Sequence, residues 1–453
     1  NEAMSSTWIL ISLVLTIAAL IVMLAVFKLH PVIGLFASAI LAGLLVKMPL
    51  TDLASALSAG FGGTLVALGL VVAFGTILSY YLEKSGAIDE LAKWMVRTLG
   101  PKNDVLALGI ASYIISIPVF FGSAYVMLAP LSKHLAKLTN KSVLRYACSV
   151  SIGLLLTHCC VAPTPGPLAV SGMIGANVGW FIVYGLIATI PAMLIFCIFY
   201  PKLFKKDEKT LEKTAINGEE LAVALKADPT KPQAGLAIFL ILFPVALIIL
   251  GTVGGMLLDE GTFAYQLVTF LGNNNVAMFI AMCLTMVLLN KYMEKPAMSY
   301  FGGALKECDL VIILGMGGSL AKVITTSGIG DVLSNTLMSF NMPILVLAFI
   351  LSAILRVALS SGTTAMLTTV SIFAPIAAAS GASPVLVGLT ICAATVGMLI
   401  HTDTAFWMAS GLFDIDQKQV LRSVSLPCTL ASIVVFLCIL LLNAFSSVLP
   451  GLY

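Results

Sequence analysis

One apolar run after another, each close to the length of a bilayer, constrains this chain more than any motif it carries. Such runs lie near 8–27, 31–48, 64–82, 104–131, 146–162, 178–200, 234–258, 274–290, 309–325, 343–380, 385–400 and 425–448. A helix needs roughly 20 apolar residues to cross the hydrocarbon core. The 453 residues are 60% hydrophobic and only 10% charged, against roughly 25% charged in a soluble domain. Mean hydropathy is +1.07. The expected class is an all-α polytopic membrane protein. A net charge of +3, with no basic cluster interleaved with aromatics, argues against a nucleic-acid partner. Membrane lipid is the expected surrounding.

The opening "NEAMSSTW" reads as an added tail ahead of Met4. The run 8–27 lacks a basic leader and a small-residue cleavage site, so a retained transmembrane helix is expected there. The one long hydrophilic stretch, 201–233, divides a first half (4–200) from a second (234–453). Its lysines Lys202, Lys205, Lys206, Lys209 and Lys213 place it in the cytoplasm. Residues 83–102 read as an amphipathic interfacial helix with Ile88, Leu91, Ala92, Met95 and Leu99 on its apolar stripe. The nine cysteines form no CxxC pair and no metal-ligand spacing. They read as packing residues, Cys159 and Cys160 included, and no metal or cofactor is expected.

The halves resemble each other. "FGGTLVALGLVVAFG" (61–75) matches "FGGALKECDLVIILG" (301–315), and "SGAIDEL" (85–91) matches "SGIGDVL" (327–333). "SIGLLLTH" (151–158) matches "TVGMLIH" (395–401). The matches share an offset of about 240 residues, the mark of an internal duplication. Both halves also carry interrupted apolar runs, "SIPVFFGSAY" within 104–131 and "RVALSSGTTA" within 343–380. Irregular backbone at membrane depth is tolerated only where it is buried in protein or lines a cavity. Duplicated halves with matching interruptions point to a secondary transporter with its site where the interruptions meet.

At the first interruption Pro118 ends one arm, and Gly122 and Ser123 form the tip and open the next. A helix N-terminus there presents free N–H groups to a carboxylate, although a proline-kinked helix would leave the same trace. The second carries Ser360, Ser361, Gly362, Thr363 and Thr364, which either cradle a hydroxylated ligand or bond back to their own helix. Arg356, about a turn earlier, either attracts an anion or ties down carbonyls.

Beyond each hairpin comes a second break. In "THCCVAPTPGPLAV" (157–170), His158 could bind substrate, move a proton or satisfy a buried carbonyl. Thr164, extended between Pro163 and Pro165, is expected to expose its hydroxyl to the cavity. In "HTDTAFW" (401–407), Asp403 is the only acid between Asp331 and Asp414 and is the candidate ion-coupling group, helped by His401 and Thr402. No Walker A sequence, GxSxG or HExxH is present.

The hairpin "IPVFF", the "TH…PTPGP" break, "LR…SGTTAMLTT" and "H…D…FW" resemble the gluconate permease (GntP) family of the ion transporter superfamily, over about Val32 to Ser446. The resemblance implies two inverted repeats, each with a re-entrant hairpin, and a homodimeric scaffold beside a transport domain that moves as an elevator. It implies proton-coupled uptake of gluconate-like sugar acids or other small hydroxycarboxylates through a multi-pass inner-membrane protein. The reading of the hairpins and breaks puts Gly122, Ser123, His158, Thr164, Pro165, Ser361, Gly362, Thr363 and Thr364 on the substrate and Asp403, His401 and Thr402 on the ion. A sodium-coupled carboxylate carrier and an ion channel are the alternatives.

Overall fold

The computed structural model describes residues 5–204, 218–308, 310–329, 332, 343–358, 362–400 and 403–452. The described residues fold into helices and their connections. In the first half these are α1 (Ser6–Ile21), α2 (Pro31–Leu45), α3 (Leu50–Thr64), α4 (Leu70–Lys84), α5 (Ala87–Leu99), α6 (Asp104–Ile115), α7 (Phe121–Leu138), α8 (Val143–Cys160), α9 (Pro165–Met173) and α10 (Val178–Ile198). A short α11 (Gly218–Ala224) precedes the second half: α12 (Ala234–Leu257), α13 (Phe263–Leu271), α14 (Asn274–Leu289), α15 (Phe301–Lys306), α16 (Leu310–Thr326), α17 (Ile344–Ala358), α18 (Gly362–Ser380), α19 (Pro384–Ala394), α20 (Thr404–Phe413), α21 (Gln417–Val420) and α22 (Leu426–Ala444).

Among the described residues seven helical stretches are long and apolar enough to cross a membrane, fewer than the dozen apolar runs. Five runs give no such stretch: 31–48 and 385–400 fold into the shorter α2 and α19, 64–82 is divided by a π-helical segment at Leu65–Gly69, and 104–131 and 343–380 are the interrupted runs. Each interrupted run yields two helices, α6 with α7 and α17 with α18, because the backbone turns inside the apolar stretch. α6, α7, α8, α9 and α10 therefore have a counterpart succession in α17, α18, α19, α20 and α22. Local chemistry sets the starts. Ser142 accepts the Leu144 amide at the head of α8, Asn177 accepts the Trp180 amide at α10, and Pro31 opens α2 where no donor is needed.

α8 is the central post. Of its residues only Val143, Arg145 and His158 are not fully buried, and it packs against α6, α7 and α10. With no water to bond, its hydroxyls bond across helices: Ser149 donates to the Val105 carbonyl at 2.8 Å and Thr157 to the Tyr113 carbonyl at 2.9 Å. At the mouth of the α6–α7 hairpin, Asp104 is fully buried, ion-paired with Lys141 and accepting from the Tyr146 hydroxyl.

α5 buries Ile88, Leu91, Ala92 and Met95, with Leu99 half-buried, as its amphipathic pattern predicts. It also buries Glu90, which Arg97 and Lys93 balance at 3.8 and 3.9 Å. The Arg97 guanidinium donates to the Leu225 carbonyl, so α5 lies beside the described end of the hydrophilic linker.

Candidate functional site

Two hairpins and two broken helices converge on one cavity of about 180 Å³. In the first hairpin α6 stops at Ile115, the chain bends through Pro118, and α7 begins at Phe121. The tip is thus Phe120 and Phe121, with Gly122 and Ser123 already in the first turn. Phe120 offers no side-chain cap, so the leading amides of α7 are left to whatever fills the cavity. In the second hairpin Arg356 sits in the last turn of α17, its guanidinium over the start of α18: a Cβ added at Gly362 would lie 3.5 Å from Arg356 Cζ.

The breaks supply the remaining wall. α8 ends two residues past His158, and α9 restarts at Pro165. On the other side Asp403 caps α20, its Oδ1 accepting the Ala405 amide at 2.7 Å. The lining is therefore Phe120, Phe121 and Gly122 from the first tip; Leu155, His158 and Cys159 from α8; Arg356, Gly362 and Thr363 from the second hairpin; and Asp403, Ala405 and Met408 from α20.

Arg356 and Asp403 form an ion pair, each 2% exposed. Burying two charges is repaid only when their remaining hydrogen-bonding capacity is used. Here it is not: among the described residues Arg356 Nε and His158 Nδ1 have no hydrogen-bond partner. The His158 ring lies 6.2 and 6.4 Å from the rings of Phe120 and Phe121. Three helix N-termini, those of α7, α18 and α20, open on the same small volume as the guanidinium. Each carries roughly half a positive charge. Against them stands one carboxylate. With a guanidinium nitrogen as the vacant donor, the arrangement can accept an anionic oxygen.

Gly122, His158, Gly362, Thr363 and Asp403 are brought together as the sequence suggests. Ser123 instead lines a separate cavity beside Phe120. Thr164 is fully buried, and its hydroxyl donates to the Val161 carbonyl at 2.5 Å rather than facing the cavity. Pro165 has no N–H for that carbonyl, and the hydroxyl replaces it. Pro165 is buried as the first residue of α9, and Thr364 is buried; neither lines the cavity. Ser361, His401 and Thr402 lie outside the described residues. Phe120 and Phe121 belong to the "IPVFF" motif, though nothing in it marks them as cavity lining, and Met408 carries no sequence signal beyond hydrophobicity. Arg356 does: it is a cation inside an apolar run.

The description "GntP family permease" matches residues 8–445. The chain belongs to the GntP permease family. Among its relatives is the inner membrane permease YgbN of Escherichia coli, 30% identical over 90% of this chain and 93% of the relative. The D-serine transporter DsdX of the same organism is 29% identical, over 95% and 97%. Its high-affinity gluconate transporter is 28% identical, over 92% and 94%. The crystal structure of the YdaH transporter of Alcanivorax borkumensis shares the fold, with a TM-score of 0.63 at 16% identity over 88% of this chain and 89% of that one. As a GntP permease the chain is a multi-pass inner-membrane transporter and not an enzyme.

Proposed function

We propose that this permease carries a small hydroxylated monocarboxylate, of the gluconate class, into the cell together with a proton. The observation that carries the reading is the vacant Arg356 Nε beside three converging helix N-termini. The substrate carboxylate takes the guanidinium and the α7 amides, and Thr363 meets a substrate hydroxyl. Each anion–dipole contact contributes about 0.3–1 kcal/mol when exposed and up to about 2 when partly buried. Micromolar binding, about −8 kcal/mol, is within reach of such a set. Coupling follows from the ion pair. A carboxylate that draws Arg356 away leaves Asp403 as a buried charge without its partner, a costly state that proton uptake relieves. His158, which lines the same cavity, hands over that proton or holds the substrate.

The repeated succession of elements and the linker between the halves support inverted repeats. The family supports a scaffold–transport division with elevator motion in a homodimer. A second reading follows from Asp403 itself: a zwitterionic hydroxy amino acid would set its carboxylate on Arg356 and its ammonium on Asp403. A relative named as a D-serine transporter keeps that substrate in view.

The test is uptake of radiolabelled gluconate into liposomes holding the purified protein, under an imposed proton or sodium gradient, with D-serine as competitor. Accumulation should follow the proton gradient. Asp403→Asn should keep gluconate counterflow and lose accumulation. Sodium-dependent accumulation would transfer the chain to the sodium-coupled reading, and unchanged accumulation in Asp403→Asn would remove Asp403 from coupling. Binding of D-serine alone would favour the zwitterion.

A further inference from the structure

α4 is an apolar helix with one polar edge. Thr76, Ser79, Tyr80 and Glu83 stand at i, i+3, i+4 and i+7, a single face. That face does not look onto lipid. With Ser123 of α7 and Glu307 after α15 it encloses a second cavity, of about 100 Å³. Phe120 belongs to the lining of this cavity and also to that of the Arg356–Asp403 site. One half-buried aromatic ring is thus the shared wall of the two.

The outer end of the second cavity can be placed. Its rim is Glu83 and Lys84, paired at 3.4 Å. The next residues, Ser85 and Gly86, turn the chain into α5, and the Lys231 side chain closes over Gly86: a Cβ there would lie 2.8 Å from Lys231 Cδ. Lys231 belongs to the hydrophilic linker. The cavity opens at the linker face of the molecule and ends at the ring of Phe120. Its acids do not repel an anion outright, since Lys84 answers Glu83 and Lys306 neighbours Glu307.

We infer that this cavity is the vestibule through which the site exchanges with the linker face, and that Phe120 is the partition a solute displaces to pass. The inference rests on the carboxylate reading only for what passes; the route itself is independent of substrate. Polar side chains on α4 and Ser123 keep the passage wet, and an aromatic ring at its inner end closes the site without presenting a hydrogen-bonding group that would hold the solute.

Accessibility to a water-borne, membrane-impermeant thiol reagent tests the route without any substrate. The full chain is placed in sealed vesicles whose orientation is read by proteolysis of the linker, and labelling is scored above that of the parent chain. Ser79→Cys and Ser123→Cys should be labelled from the linker face and not from the other. Thr363→Cys, inside the site, should be labelled slowly from the linker face. Adding Phe120→Ala should raise the Thr363→Cys rate by about tenfold, a barrier change of about 1.4 kcal/mol, while the Ser79→Cys rate stays as it was. Phe120→Leu repeats the comparison with a smaller loss of packing, and size-exclusion profiles report folding. Entry of the reagent at Thr363→Cys from the opposite face, or a rate indifferent to both Phe120 variants, overturns the inference. A failed gluconate uptake with this labelling pattern intact would discard the substrate reading and leave the route standing.

Discussion

Arg356 and Asp403 bring two full charges into a volume walled by Leu155, Met408 and two phenylalanines. Removing one partner of such a pair costs about 3–5 kcal/mol, whereas replacing both by apolar groups of similar size is often neutral. Arg356→Ala should therefore lower the thermal midpoint of the detergent-solubilised protein markedly. Arg356→Met combined with Asp403→Leu should recover most of that midpoint while abolishing gluconate binding. Asp403→Asn, which leaves a lone buried guanidinium, should regain stability when gluconate is added, since the ligand supplies the missing charge. A double variant whose midpoint falls by the sum of the single losses would show that the two side chains act independently. Thr164 teaches the opposite lesson at this scale. Flanking prolines make its backbone extended, and that much is legible in the sequence. The direction of its hydroxyl is decided by a carbonyl left without a donor, which only the fold reveals.

At the scale of elements, bare backbone contact holds the long helices together. A Cβ at Gly60 of α3 would meet the Gly318 carbonyl oxygen of α16 at 2.4 Å, and one at Gly318 would meet Thr64 Oγ1 at 2.0 Å. Ser319 beside them donates to the Leu57 carbonyl at 2.8 Å. Small residues at such crossings let van der Waals packing and interhelical hydrogen bonds replace the hydrophobic drive that lipid does not supply. Gly60→Leu should push α3 from α16 and broaden the size-exclusion peak, whereas Gly302→Leu, with open space at its Cβ, should not. Equal profiles for the two variants would refute the close crossing. The interruptions of the hairpins were readable because Pro118, Gly122 and Gly362 stand where an uninterrupted helix would not have them. The tip itself fell at Phe120–Phe121, one residue before Gly122, because α7 starts without a capping side chain and so leaves no start signal. The Arg356–Asp403 pair was legible as two separate anomalies, not as a contact, since a hairpin arm and α19 lie between them in the chain.

At the scale of the whole molecule, the charge distribution bears on how the halves are related. The mouth of the α6–α7 hairpin carries Lys102, Lys137 and Lys141, and the linker adds Lys202 and Lys231 near the same end. The described mouth of the second hairpin, Pro343 and 380–384, has no charged residue. Lysine and arginine accumulate on the cytoplasmic side of short loops, so the two hairpins should enter the membrane from opposite faces, the first from the linker side. Such an arrangement would bring Phe121 and Gly362 to one cavity at mid-depth from opposite directions, and a body built that way could expose the site to either face by moving as a unit. Impermeant thiol labelling in oriented vesicles checks this directly. Lys102→Cys and Ser380→Cys, both exposed positions, should react from opposite sides, with Lys102→Cys on the side where the linker is cleaved. Reaction of both from one side would mean that the halves repeat without inversion, and motion of a single transport body between the faces would lose its structural basis.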